Sequence, residues 1–169
     1  MKFLLRGVLW SVGTWLVLAA TAPGLAAATR AWLMLNPAAE DSLLVTDPAE
    51  QQRLEKGGWE TDAVFGLFSE GDARRSALQR LFKQEKGNSY RLLSGRADEV
   101  EAAKRSGFQL EGAMGFVALT QTAPELVPVK RFKKGERLLW IAGAQNQAWA
   151  KEAGWQFVGD DFWVLPDGK

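Results

Sequence analysis

The chain has 169 residues, of which 47% are hydrophobic and 24% charged, and its formal net charge is +1. This composition is typical of a folded globular protein, and it lacks the basic excess of a dedicated nucleic-acid-binding protein. Histidine and cysteine do not occur, which excludes imidazole metal ligands, disulfides and thiolate nucleophiles. We therefore predict no metal, no cofactor and no nucleic-acid partner.

The first segment of the chain has the three-part pattern of a secretory signal peptide. Lys2 and Arg6 precede an uncharged stretch rich in Leu, Val and Ala, and small residues occupy 26–28 after a Pro-Gly pair. This pattern predicts a cleaved leader over 1–28 and export to the periplasm or the cell exterior. The alternative is an uncleaved anchor, because the 22 uncharged residues 7–28 are long enough to span a bilayer. The domain would then face the periplasm and contact the membrane only through this segment.

Three similar segments follow the leader and are predicted to form a single domain over residues 29–169. Their approximate bounds are 29–68, 78–119 and 127–165. Each segment opens with two short apolar runs around a turn that contains Gly, Pro or Asn, which is typical of a β-hairpin. A polar helix and a last apolar strand follow. The first helix has a specific start signal, because Asp47 is a favoured N-cap residue and Pro48 a favoured first residue.

A glycine followed by an aromatic residue closes each predicted helix. The pairs are Gly58-Trp59, Gly107-Phe108 and Gly154-Trp155. Glycine is the usual residue just after a helix, and the aromatic ring that follows either packs between helix and sheet or stacks on a sugar ring. Because the pairs occur in all three segments, we interpret them as structural positions rather than as one binding site.

These elements predict an α+β protein of three tandem β-β-α-β repeats, arranged with pseudo-threefold symmetry into one compact domain. A unit of about 40 residues buries too little surface to be stable alone. The three units are therefore expected to share one core.

Three motifs carry a resemblance to a known family. Arg80 and Arg131 lie beside apolar residues in the first strand of their units, and the segments 45–50 (VTDPAE) and 107–112 (GFQLEG) flank the helices. This pattern resembles a bacterial repeat domain of unknown function. That domain often occurs three times in tandem in secreted proteins, sometimes attached to cell-wall-degrading enzymes. The resemblance implies a secreted domain with a role at cell-surface glycans.

The chain departs from that family where the family tends to carry histidine. Ser42, Arg91 and Leu138 occupy those positions. Any ligand that the family binds through these histidines is therefore not expected to bind here in the same way.

Ligand-binding candidates are sought among residues that the fold does not require. The aromatic residues that do not recur between segments are Tyr90, Trp140, Trp149 and Trp163. Recurring arginines are a second set, namely Arg30, Arg80 and Arg131. Guanidinium groups that converge can bind an anion. The alternative is that each arginine forms a structural ion pair, for example with Asp62 in the first segment or Glu111 in the second.

The leading functional hypothesis is an exported, non-catalytic envelope protein that binds a glycan or another protein. One alternative is a small cell-wall polysaccharide hydrolase that uses carboxylates, for which Glu111, Asp160 and Asp161 are the acidic residues to consider. We predict no catalytic residue, because adjacent strand residues such as Asp160 and Asp161 point to opposite faces unless the strand bulges. A third reading is an accessory subunit of an assembly.

Overall fold

The computed structural model describes residues 28–167, and within them nine strands and three helices follow one another. The strands are β1 (Ala28–Asn36), β2 (Asp41–Val45), β3 (Glu60–Phe68), β4 (Arg75–Glu85), β5 (Asn88–Ser94), β6 (Gln109–Ala118), β7 (Val127–Lys134), β8 (Arg137–Ile141) and β9 (Gln156–Pro166). The helices are α1 (Pro48–Lys56), α2 (Ala97–Arg105) and α3 (Ala144–Glu152). The predicted leader, residues 1–28, lies outside this range except for Ala28, the first residue of β1.

All nine strands join one antiparallel sheet. Hairpin partners are β1 with β2, β4 with β5, and β7 with β8. The last strands pair with the first strands of these hairpins, and β3, β6 and β9 also pair with one another near their carboxyl ends. The outer strands β2, β5 and β8 lie next to one another, and the backbone N–H of Trp140 in β8 donates to Ser42 Oγ of β2 at 2.9 Å.

The predicted fold class is wrong. Instead of an α+β arrangement of three β-β-α-β repeats with pseudo-threefold symmetry, the protein is a sheet-dominated antiparallel fold. Strands make up 54% of the described residues and helices 19%. The reason lies in the helices, which have nine residues each and bury few side chains: none in α1, two in α2 and one in α3. Helices this polar cannot form a layer of their own, so strands supply the core.

Local chemistry explains where the elements begin and end. The Asp47 carboxylate accepts from the backbone N–H of Ala49 at 2.9 Å and caps α1. The β4–β5 hairpin turns at Lys86 and Gly87, which both have positive φ, 51° and 81°. Two successive positive φ values match the right-handed twist of the flanking strands.

The main core lies between the strands and includes residues from each of the nine described strands. Its largest fully buried side chains include Trp140, Phe65 and Phe162. Within residues 28–167, the helices are too short and too polar to cross a bilayer. The strands supply most of the main core, and the candidate site is built on them.

Candidate functional site

The residue at the centre of the candidate site is Arg131 of β7, whose side chain is only 12% exposed. In register it lies between Trp140 of β8 and Gly159 of β9. Its guanidinium group donates from Nε to Asp161 Oδ2 at 2.9 Å and from Nη2 to Glu99 Oε2 at 3.0 Å. Nη1 also donates to Glu99 Oε1, and Nη2 to the carbonyl of Leu93 at 3.3 Å. One guanidinium thus joins α2, β5 and β9.

Asp161 is the most deeply buried carboxylate of the site, with a side chain 3% exposed. Besides Arg131, it accepts from Arg96 Nη1 at 2.6 Å and from Trp140 Nε1 at 2.7 Å. A register shift explains why it points inward: Phe162 pairs with Val129 but Asp160 pairs with Lys130, so Asp161 is an extra residue in β9. Such a bulge turns a side chain away from the simple alternation of a strand.

Glu99, in the first turn of α2, supplies the second carboxylate. It accepts from Arg131 and from Ser94 Oγ, and the same Ser94 oxygen accepts from the backbone N–H of Arg96 at 3.0 Å. Burial raises the pKa of the Glu99 carboxyl, but hydrogen bonds from Arg131 and Ser94 lower the pKa by more, so it lies below its ordinary value. Glu99 is therefore ionised at neutral pH.

The charge of Arg131 is fixed for the same reason. Burial lowers the pKa of its guanidinium group, whereas hydrogen bonds and charge from Glu99 and Asp161 outweigh burial and raise that pKa. The ion pair between Arg131 and Glu99 is consequently kept over the physiological pH range. A network of this kind holds its donors and acceptors in fixed directions.

A cleft of about 410 Å³ opens beside this network, and we name it the Arg131 cleft. Its lining residues are Arg96, Glu99, Arg131, Val158, Gly159, Asp160 and Asp161. Val158 is 58% exposed and gives the cleft an apolar edge. A methyl group added at Gly159 would meet no atom within 4 Å, so the space above the strand is open at this point. Asp160 pairs with Lys130 at 2.8 Å.

A comparable cluster surrounds Arg80 of β4 but has different neighbours. Arg80 Nη1 donates to the carbonyl of Leu44 at 3.0 Å and lies 3.5 Å from Glu50 of α1. Its Nε lies 3.1 Å from Glu111 Oε2, although this N–H makes no hydrogen bond of good geometry within residues 28–167. Glu111 precedes Gly112, the register partner of Arg80, as Val158 precedes Gly159 beside Arg131. The Arg80 cluster thus has a glutamate at the position that Val158 occupies beside the Arg131 cleft.

The three arginines singled out from the sequence have separate partners. Arg30 lies 3.2 Å from Asp167 and over the ring of Trp32, and its side chain is 60% exposed. Asp62, considered as its partner, instead accepts from the backbone N–H groups of Ala142 and Gly143 at the start of α3 and from Asn146 Nδ2. The arginines therefore do not converge on one anion.

The four non-recurring aromatic residues are dispersed over the fold. Trp140 is fully buried and belongs to the Arg131 network. Trp149 packs partly buried against the cluster of Phe132 and Trp155, and Trp163 against a different cluster. Tyr90 is partly buried in β5, opposite Lys83. The structure thus brings only Trp140 to the site.

The glycine–aromatic pairs end the helices. The glycines have φ values of +85°, +88° and +83°, and the backbone N–H of each following aromatic residue donates back to the helix at 2.9–3.1 Å. The residues are Gly58 with Trp59, Gly107 with Phe108, and Gly154 with Trp155. This is the hydrogen-bond pattern of a Schellman helix end. Trp155 is 3% exposed, so its ring is not available to a ligand.

Sequence reasoning missed Arg96 and Glu99 as members of the site. Arg96 is the N-cap residue of α2, as Asp47 is of α1. Its guanidinium group donates to Asp161, which is 65 residues further along the chain. For Asp161, the sequence does contain a signal: Asp160-Asp161 follows Gly159 within a strand, and a glycine at such a position often marks a bulge.

The chain belongs to the family described as Domain of unknown function (DUF5648), whose model matches residues 29–165. No curated protein and no solved structure gives a significant match to the chain. The family match establishes an uncharacterised domain over nearly all of the described residues.

Proposed function

We propose that this chain is an exported, non-catalytic binding module of the cell envelope that holds a glycan in the Arg131 cleft. The observation that carries the proposal is the composition of the cleft, in which fixed charged groups face an exposed valine. Sugars present hydroxyl groups on their edges and C–H groups on their faces, so they match a site with both features. Groups that are already held in place lose little conformational entropy on binding.

The state of the carboxylates favours binding over hydrolysis. A glycosidase needs one carboxylic acid whose pKa is raised so that it can protonate the leaving oxygen. The pKa of Glu99 is instead lowered, and Asp161 is held by Arg96, Arg131 and Trp140. Carboxylates engaged in this way serve as hydrogen-bond acceptors and as supports for the arginines.

Export is proposed from the sequence of the leader, whose basic residues precede an apolar stretch and a small-residue site. The resemblance to a secreted domain that occurs in tandem beside cell-wall-active enzymes supports the same location. A glycan of the envelope is accordingly the ligand class that we propose. A protein partner is the second class, because a polar cleft of this size also suits a peptide side chain.

A cell-wall pull-down combined with a glycan array tests the proposal. We expect the purified protein to be retained on insoluble cell-wall polysaccharide and the variant Val158→Trp to be lost from it, because the indole fills the cleft. Leu110→Trp is the matched control: Leu110 is an exposed aliphatic residue of β6, 49% accessible, and lies outside the cleft.

Two results would contradict the proposal. If no glycan is retained while one stoichiometric protein is captured, the ligand is a protein. If new reducing ends accumulate with time in the presence of the parent protein but not of the variant Glu99→Gln, the protein is a hydrolase.

A further inference from the structure

The positive and negative charges of the Arg131 cleft, counted with Lys130, are equal in number, and this balance disfavours a charged ligand. Two arginines, Arg96 and Arg131, face three carboxylates, those of Glu99, Asp160 and Asp161. The third carboxylate, Asp160, is matched by Lys130 at 2.8 Å. Each cation near the cleft thus has an anionic partner. An anionic ligand would have to displace a carboxylate or lie beside one, and like charges in contact disfavour binding.

The cleft nevertheless keeps unused hydrogen-bonding capacity of both kinds. Arg96 is 39% exposed and uses two N–H groups on Asp161, so three of the five that a guanidinium carries have no partner within residues 28–167. The carboxylates of Glu99 and Asp160 are 27% and 36% exposed, and each oxygen can accept a further bond. Donors and acceptors therefore lie side by side at the mouth of the cleft.

We infer that the ligand of the Arg131 cleft is a neutral, polyhydroxylated sugar and not an acidic one; this inference rests on the proposed glycan-binding function. A hydroxyl group both donates and accepts, so neighbouring hydroxyls of one sugar ring can bond to Arg96 and to a carboxylate at once. The apolar face of the ring then lies on Val158, which is 58% exposed. Because the ligand carries no charge, its affinity depends little on salt concentration.

Competition with soluble tetrasaccharides separates the two ligand classes. Protein retained on insoluble cell-wall polysaccharide is released with the N-acetylglucosamine tetramer, the galacturonic acid tetramer, or the methyl ester of the latter, which has the same sugar without its charges. We expect a neutral tetramer to release the protein at a concentration about tenfold or more below that of the acid. Raising sodium chloride from 0.05 to 0.5 M (chosen assay values, roughly a threefold change in Debye length) should leave release by the neutral sugar unchanged.

The variant Asp160→Asn provides an internal control of the charge argument. It keeps the shape of the side chain but leaves Lys130 without its anion, so release by the galacturonic acid tetramer should become more effective relative to release by a neutral tetramer. The matched variant Glu101→Gln removes a surface carboxylate that lines a different cavity and should change neither.

The outcomes for the two proposals are distinct. If the acidic tetramer is the better competitor, or if no neutral tetramer competes, the inference is overturned, while retention on the polysaccharide and its loss in Val158→Trp still support glycan binding. If the protein is not retained at all, the proposed function fails and the inference fails with it.

Discussion

Replacing Arg131 with methionine tests whether the network depends on this one cation. The substitution keeps a long unbranched side chain but removes the charge that Glu99 and Asp161 face. Removing one partner of a buried ion pair costs roughly 3–5 kcal/mol, because the remaining charge stays out of water. Asp161 keeps Arg96 and Trp140, and Glu99 is 27% exposed. We therefore expect the lower end, a loss of about 3 kcal/mol.

Urea unfolding followed by tryptophan fluorescence at pH 7 measures this loss, and thermal unfolding should show a midpoint lower by roughly 6–12 °C. Lys130→Met is the matched control. Lys130 is the preceding residue and also pairs with a carboxylate, Asp160, but at a more exposed site, with side chains 25% and 36% accessible. Exposed pairs contribute about 0–1 kcal/mol, so this variant should unfold close to the parent protein.

The pH dependence of the Arg131→Met loss follows from the lowered pKa of Glu99. Its folded-state pKa lies below the unfolded value, which is about 4.3. The ion pair therefore stabilises the fold fully above that pH, and this stabilisation is lost as the pH falls through the folded-state pKa. In the variant, Arg131 no longer lowers the pKa of Glu99, whereas burial still raises it. The difference in stability between the two proteins should thus shrink as the pH is lowered from 7 to 3 (chosen assay range, spanning the reference values near 4).

The reasoning would be refuted by a difference below about 1 kcal/mol at pH 7, the size of an exposed pair. A difference that stays constant down to pH 3 (about one pH step below the reference carboxyl pKa) would show that lost packing, and not the ion pairs, accounts for the effect.

Three further substitutions test other parts of the framework. Asp62→Ala removes the carboxylate at the start of α3 and should destabilise by about 2 kcal/mol, against about 1 kcal/mol for the exposed cap Asp47→Ala; equal urea midpoints for the two variants would contradict this. Gly143→Ala places a methyl group 2.6 Å from Asp62 Oδ1 and should cost about 1–3 kcal/mol in urea unfolding; an unchanged midpoint would contradict this. Trp140→Phe removes the donor 2.7 Å from Asp161 and should lower the calorimetric midpoint in line with about 1–2 kcal/mol; an unchanged midpoint would mean that Arg96 and Arg131 satisfy that carboxylate alone.

Local signals in the sequence located the helix boundaries because their chemistry acts over a few residues. Asp47-Pro48 marks the start of α1, and the glycines at 58, 107 and 154 lie just beyond the helix ends with positive φ. Conformational preferences of glycine, proline and capping residues depend on the backbone next to them. They can therefore be read without knowing the tertiary structure.

The balance between sheet and helix could not be read in the same way. Each helix has nine residues and buries at most two side chains, and the extent to which the strands replace it in the core depends on how they pair. The pairing of β3, β6 and β9 joins residues as distant as Phe65 and Pro166. Such contacts depend on how the segments assemble, which periodicity within one segment does not report.

The site was hidden for a related reason. Arg96, Glu99 and Asp161 come from two elements, and the aspartate faces inward only because β9 carries an extra residue against β7. The alternation rule predicts opposite faces for Asp160 and Asp161, and they do serve different neighbours, Lys130 and Arg131. The bulge that decides which of them is buried is a property of the strand pair and not of either strand alone.

Comparison of the two arginine clusters shows why the cleft lies beside Arg131. Both arginines reach a glutamate in the first turn of the preceding helix and a backbone carbonyl in the second strand of the preceding hairpin. At Arg80 the residue before the paired glycine is Glu111, whose carboxylate lies 3.1 Å from the guanidinium group. At Arg131 that residue is Val158, which cannot form an ion pair. The buried carboxylate of Asp161 pairs with the guanidinium group instead. A valine thus replaces the glutamate, and the buried Asp161 is the second carboxylate partner of Arg131; these two differences together distinguish a cluster that joins strands from one that also borders a cleft.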